Sequence, residues 1–131
     1  MSSNRRTDAI VSTGGDCKIK ELCNRSLPAR HETNLNAWVI EGRDAAEGLL
    51  GVLRFQVSTV LVGLSDDLEA DKAHIDRLQA IMDYHREDIR LVAVTGTLAP
   101  EVPEEPLPVD EIFDYRALDV EQVRDVLLRS L

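Results

Sequence analysis

The residues of this chain that could do chemistry are carboxylates and hydroxyl groups that lie where its apolar runs end. Asp66 and Asp67 follow the run Val57–Leu64, and a carboxylate in such a place can accept a phosphoryl group beside Mg²⁺. The alternative is structural: Ser65, Asp66 and Asp67 form the cap and acidic first turn of the next helix, where carboxylates suit the helix dipole. We favour the structural interpretation, because no acidic pair follows the first apolar run.

A glycine-rich turn, Thr13–Asp16, separates the first apolar run from a helical pattern. Backbone N–H groups in such a turn can cradle phosphate, so one hypothesis is a small-ligand or nucleotide site built from this turn and Thr95. The turn has neither the GxGxxG pattern nor the lysine of a P-loop. A plain tight turn is the favoured interpretation, with Asp16 as the cap of the following helix.

The histidines and cysteines form no recognisable catalytic or metal-binding pattern. His31 lies in a polar loop, and His74 and His85 fall on the longest helix or its end, so all three are predicted at the surface. Cys17 and Cys23 form no CxxC pair and have no neighbouring histidine, so neither a zinc site nor a disulfide is indicated. We expect no catalytic residue, no metal site and no cofactor.

Short apolar runs alternate with helical patterns along the chain. The predicted strands are residues 8–11, 36–40, 57–64, 89–94 and 111–115. The predicted helices begin after the capping residues Asp16, Asp44 and Asp119 and at about Asp67, and they end before Pro28, at Leu53, at Tyr84 and at Leu131. Residues 98–110 hold four of the five prolines, which remove backbone donors, so an extended loop is predicted there in place of a regular fourth helix.

Five strands separated by helices predict an α/β fold with a parallel sheet and helices on both faces, because right-handed crossovers leave few other arrangements. The 131 residues are enough for a single domain, residues 1–131. In such a sheet, ligands and chemistry collect at the carboxyl ends of the strands. Function is therefore to be sought at that edge.

The charge of the chain bears on its partners. A formal net charge of −9 argues against nucleic acid and an anionic membrane, because phosphate groups are bound by clustered Lys and Arg. No apolar run approaches the roughly 20 residues that a membrane span needs, and the amino-terminal residues lack the apolar core of a signal peptide. We expect a cytoplasmic protein.

Two segments, Ile89–Thr97 and Phe113–Glu121, resemble the second half of a bacterial response-regulator receiver domain. Thr95 falls at the hydroxyl position that follows the family's fourth strand, and Arg116 falls where the lysine of a Lys-Pro pair is expected. Asp44–Leu50 is similar to the family's second helix. The resemblance extends in layout over most of the chain and implies a flavodoxin-like (CheY-like) fold.

The phosphorylation residues of a receiver are missing from their expected places. A receiver carries two acidic residues after its first strand to hold Mg²⁺, and an aspartate at the end of its third strand to accept the phosphoryl group. This chain has Ser12, Thr13 and Gly14 in the first place and Gly63 in the second. Arg116 keeps the positive charge of the family's lysine but has a longer, planar head.

The resemblance and these departures together imply a degenerate receiver, or pseudo-receiver, that works in bacterial two-component signalling without phosphorylation. It would bind a protein partner or dimerise, alone or as the amino-terminal domain of a transcription regulator whose effector region follows residue 131. The predicted interaction surface includes Tyr115 and Arg116, which are residue types that interfaces favour. A true phospho-receiver using Asp66 or Asp67 is the alternative.

Overall fold

The sheet and its helices are seen in a computed structural model of the chain, which describes residues 7–13, 18–21, 35–53, 56–65, 67–82, 89–95, 108–114 and 121–123. The strands are β1 (Thr7–Ser12), β2 (Leu35–Ile40), β3 (Val57–Gly63), β4 (Arg90–Val94) and β5 (Glu111–Phe113). All four pairings are parallel, and the order across the sheet is β2-β1-β3-β4-β5. This is the strand order of flavodoxin-like α/β proteins, so the predicted fold class is confirmed.

Among the described residues, four helical segments lie between or after these strands. Residues 18–21 belong to α1, and residues 121–123 belong to α4. The complete helices are α2 (Arg43–Leu53) and α3 (Leu68–Met82). In the part of the chain that the structure describes, no helix is long and apolar enough to cross a membrane.

The start of α2 differs from the prediction. Asp44 was expected to cap this helix, but the helix already includes Arg43, and the backbone N–H of Ala46 donates to the carbonyl of Gly42. Asp44 therefore lies inside the first turn, where its carboxylate still suits the dipole, and its assignment as the cap is wrong. The predicted strand at 111–115 is observed as the shorter β5, with Tyr115 outside the described residues.

The sheet has an apolar layer on each face, because successive side chains of a strand point to opposite sides. Ile10 of β1 packs with Leu50 of α2 and Leu78 of α3, whereas its neighbour Val11 packs with Ile19 of α1 on the other face. Every residue of β3 is buried. A central strand covered on both faces accounts for the apolar residues Val60, Leu61 and Val62 that predicted it.

Residues 98–107, which include most of the proline-rich segment, lie outside the described residues. The predicted extended loop in place of a fourth helix falls mostly on these residues. Residues 108–110 are described and form bends rather than a helix or strand. The backbone N–H of Asp110 donates to the carbonyl of Leu91, and its carboxylate accepts from the N–H of Leu91. These two bonds fix the entry into β5 beside β4.

Candidate functional site

The carboxyl ends of β1, β3 and β4 meet at one edge of the sheet. Ser12 pairs in register with Val62, and Gly63 pairs with Val94. Thr95 follows β4 directly and is buried, and its backbone N–H donates to the carbonyl of Phe113. The structure thus brings together the ends of the strands that carry Ser12, Gly63 and Thr95, as a parallel sheet requires.

Gly63 is enclosed by its neighbours at this edge. A Cβ atom at this position would lie 2.9 Å from the backbone carbonyl oxygen of Thr13 and 2.9 Å from Cδ1 of Ile19. The tip of Ile19 can move, but the Thr13 carbonyl belongs to the backbone that leaves β1. A side chain at residue 63 would therefore require the backbone at Thr13 to shift.

Asp67 acts as the cap of α3. Its Oδ1 accepts a hydrogen bond of 3.1 Å from the N–H of Ala70, three residues into the helix, and its own N–H donates to Ser65 Oγ at 3.1 Å. This confirms the capping interpretation for Asp67. Asp66, the other alternative phosphoacceptor, lies outside the described residues.

Asp71 is a buried carboxylate that ties the β3–α3 connection to α2. Its exposed fraction is 0%, and its oxygens accept from the Ser65 N–H at 2.8 Å, from Ser65 Oγ at 3.0 Å and from Arg43 Nη2 at 2.8 Å. The same Arg43 nitrogen lies 2.7 Å from Ser65 Oγ. Three donors to one carboxylate offset the cost of removing its charge from water.

A second polar chain runs from β1 through α3 to α2. Ser12 Oγ lies 2.9 Å from His74 Nε2, and His74 Nδ1 lies 2.6 Å from Glu47 Oε2. The other oxygen of Glu47 accepts from Arg77 Nε at 2.6 Å. We call these four residues, Ser12, Glu47, His74 and Arg77, the His74 joint.

The prediction of a surface position for His74 is wrong, because its exposed fraction is 0%. The inward face of α3 carries polar as well as apolar residues, so its apolar stripe does not reveal His74. His74 precedes the buried Leu78 by four residues, and Asp71 precedes the buried Ile75 by four, so helical periodicity alone places both on the inward face. His31 and His85 lie outside the described residues.

Burial lowers the pKa of His74 below its ordinary value, against the opposing attraction of Glu47, and the positive charges of Arg43 and Arg77 lower it further. The imidazole is therefore neutral at pH 7. Burial acts to raise the pKa of Glu47, but hydrogen bonds from Arg77 and His74 outweigh it and keep this pKa below its usual value. Because ionised Glu47 only accepts, His74 carries its proton on Nδ1, and Nε2 accepts from the Ser12 hydroxyl.

Ser12, His74 and Glu47 have the order of a nucleophile, a base and an orienting carboxylate. Local sequence spacing did not suggest this set, because Ser12 and His74 are 62 residues apart and His74 and Glu47 are 27 apart. Ser12 and His74 both have an exposed fraction of 0%, so the hydroxyl offers no face to a substrate. The arrangement links β1, α2 and α3.

An open groove of about 580 Å³ lies beside the His74 joint, between the starts of α2 and α3. It is lined by Glu41, Gly42, Arg43, Asp44, Ala70, Ala73 and Arg77. Its cations already have partners: Arg43 is held by Asp71, and Arg77 by Glu47. The lining carboxylate of Glu41 contacts Lys20 at 2.6 Å, and the carboxylate of Asp44 also lines the groove.

Several predicted site residues fall outside the residues that the structure describes, namely Gly14, Gly15, Asp16, Cys17, Cys23, Tyr115 and Arg116. Within the described ranges, no three His, Cys, Asp or Glu side chains are grouped so that they could hold a metal ion.

Comparison with protein-family models gave no match, and comparison with curated proteins gave no significant similarity.

Proposed function

We propose that this chain is a phosphorylation-independent, receiver-like signalling module that acts by binding a protein partner or a second copy of itself. Two observations support the receiver-like part. The sheet has the strand order of receivers, and Thr95 stands buried at the end of β4, where the family has a hydroxyl residue. The module would serve alone or as the regulatory domain of a bacterial transcription regulator.

The observation that carries the phosphorylation-independent part is the enclosure of Gly63. Phosphoryl transfer needs a carboxylate at the end of β3, open to the donor and to a cation that neutralises the developing charge. Here the Thr13 carbonyl and Ile19 occupy the space that any side chain at position 63 would need. The nearby carboxylate of Asp67 caps α3, and Ser12 is bonded to His74. The polar groups at this edge thus serve the fold.

The direct test is an amide NMR titration with Mg²⁺ and then with beryllofluoride, which mimics a phosphoryl group on an aspartate. We expect no saturable shifts at Ser12, Gly63 or Thr95. Saturable shifts there would contradict the proposal and support a true phospho-receiver. The variants Asp66→Asn and Asp67→Asn would then identify the acceptor, because only the acceptor's replacement abolishes the shifts.

Protein contact is tested separately, by sedimentation and by partner capture with the Arg116→Glu variant. We expect weaker self-association or partner binding with an unchanged circular dichroism spectrum, because a reversed charge disfavours an interface that uses this guanidinium. Arg5→Glu makes the same change of charge outside the predicted surface and is the matched control. If both variants associate as strongly as the parent chain, Tyr115 and Arg116 are not part of the interface.

A small-ligand site at Thr13–Asp16 and Thr95 would give a different result in the same set of measurements. A ligand that binds the folded chain raises the midpoint of thermal unfolding. A thermal-shift screen against nucleotides and cyclic dinucleotides therefore distinguishes such a site from a surface that binds proteins only. We expect no shift, since Thr13 and Thr95 are both buried and the Thr13 hydroxyl lies 3.4 Å from the carbonyl oxygen of Ile40.

A further inference from the structure

We propose that His74 makes the packing of α2 and α3 against β1 responsive to protons, so that protonation of its imidazole loosens the His74 joint. Each nitrogen of the ring bonds a different element: Nε2 meets Ser12 of β1 at 2.9 Å, and Nδ1 meets Glu47 of α2 at 2.6 Å. The ring itself belongs to α3. One side chain therefore joins three elements, and a change in its charge acts on all of them.

The charges around His74 are balanced while the ring is neutral. On β1 the group that faces it is the uncharged Ser12 hydroxyl. On α2 and α3 the charged groups nearby form two ion pairs, Arg43 with Asp71 and Arg77 with Glu47. Protonation of His74 adds a third cation beside two carboxylates that already pair with arginines. It also places this charge on a residue whose exposed fraction is 0%. A buried charge without its own counter-ion is costly.

Protonation also changes the hydrogen bonds. In the neutral ring, Nδ1 donates to Glu47 and Nε2 accepts from Ser12. In the imidazolium both nitrogens donate, so the Ser12 hydroxyl must turn its own hydrogen towards another acceptor. Glu47 must at the same time serve an imidazolium and the guanidinium of Arg77. Both changes favour a state in which the ring reaches water.

The direction of the pH dependence follows from the two states of the joint. Burial lowers the pKa of His74 in the closed state, whereas in an open, hydrated state this pKa returns to about 6.5. Between these two values the open state binds more protons, so acidification favours opening. Below the closed-state pKa both states are protonated and the effect levels off. Between pH 7 and pH 5.5 Glu47 stays ionised, because its pKa lies below its ordinary value of 4.5.

The experiment is native-state hydrogen exchange of the 131-residue chain between pH 7 and pH 5.5, with each amide rate corrected for its intrinsic pH dependence. For amides of α2 and α3 we expect the opening constant to rise by up to about tenfold per pH unit, as linkage to one proton requires. The side-chain resonances of His74 should titrate with a midpoint below that of an ordinary histidine. A corrected opening constant that does not change with pH overturns the proposal.

Two variants assign the effect to His74. His74→Gln has an amide that cannot be protonated in this range, so the slope should disappear, whereas His85→Gln makes the same substitution elsewhere and should keep it. A slope that persists in His74→Gln overturns the proposal. If His74→Gln does not fold, Glu47→Gln takes its place: loss of the carboxylate should move the His74 midpoint further down, and an unmoved midpoint overturns the proposal.

Discussion

Gly63 shows how one residue limits what the edge of the sheet can do. It lies at the end of β3, at the edge of the sheet, but its surroundings are those of a packed core. The Thr13 carbonyl comes from β1 and Ile19 comes from α1, so two elements close on the same point. We infer that the glycine is required by this close approach of backbone.

We predict that Gly63→Ala destabilises the fold by about 1–3 kcal/mol, the usual cost of forcing extra volume into a packed site. Urea unfolding followed by circular dichroism measures this cost. Gly48→Ala is the matched control, because a Cβ at this exposed position of α2 meets nothing within 4 Å. There alanine should stabilise by about 0.5–1 kcal/mol, as in any exposed helix interior. If the urea midpoint of Gly63→Ala is unchanged or raised, the Thr13 backbone moves aside at little cost and the prediction is wrong.

At the scale of elements, α2 and α3 meet along a line of contacts in which polar and apolar side chains alternate. Arg43 and Glu47 are one helical turn apart on α2, and Asp71 and His74 are one turn apart on α3. Leu50 and other apolar side chains pack between and beyond these four polar residues. The polar contacts fix how the two helices align, because charge-assisted hydrogen bonds require specific geometry, whereas apolar packing tolerates more variation.

The contact between Arg43 and Asp71 gives a prediction at this scale. Arg43→Met should destabilise by about 1.5–3 kcal/mol, because it removes a charge-assisted bond from Asp71, whose exposed fraction is 0% and which then keeps, among the described residues, its bonds from Ser65. Asp71→Asn should also destabilise, and the double variant should lose less than the sum of the two. A double-mutant cycle from urea unfolding measures that difference.

The exposed ion pair of Lys20 and Glu41 serves as the control for this cycle. Its N–O distance, 2.6 Å, is even shorter than the 2.8 Å of the Arg43–Asp71 pair. Its side chains are 42% and 61% exposed, so water screens the attraction. Lys20→Met should therefore change stability much less than Arg43→Met. If Lys20→Met and Arg43→Met lower the free energy of unfolding equally, our account is wrong, because burial would then not determine how much an ion pair stabilises the fold.

At the scale of the whole molecule, local patterns predicted the sheet and missed its polar connections. The apolar runs were enough to predict the five strands of the sheet, because a strand covered on both faces is rich in apolar residues, as Val60, Leu61 and Val62 of β3 show. Asp67 was predictable as a cap, since its partner Ala70 is three residues away. The His74 joint was not, because its partners are 62 and 27 residues distant and only the fold brings them together.

The order of the strands also sets where the molecule should open first. β3 lies in the middle of the sheet with all seven residues buried, whereas β5 lies at the edge, has three residues and is only half-buried. Local opening is easiest where few apolar contacts hold the backbone. The predicted interaction residues Tyr115 and Arg116 come shortly after β5 in the sequence, following Asp114.

We therefore predict that amides of β5 exchange with solvent at least about tenfold faster than amides at the centre of β3, which should exchange only on global unfolding. Hydrogen exchange at constant pH measures both in one experiment. A partner or second copy that binds beside β5 should slow exchange there and leave the protection of β3 equal to the global value. If β5 is already as protected as β3 in the dilute, unassociated chain, the edge is part of the cooperative core, and binding at Tyr115 and Arg116 would have no weak strand to stabilise.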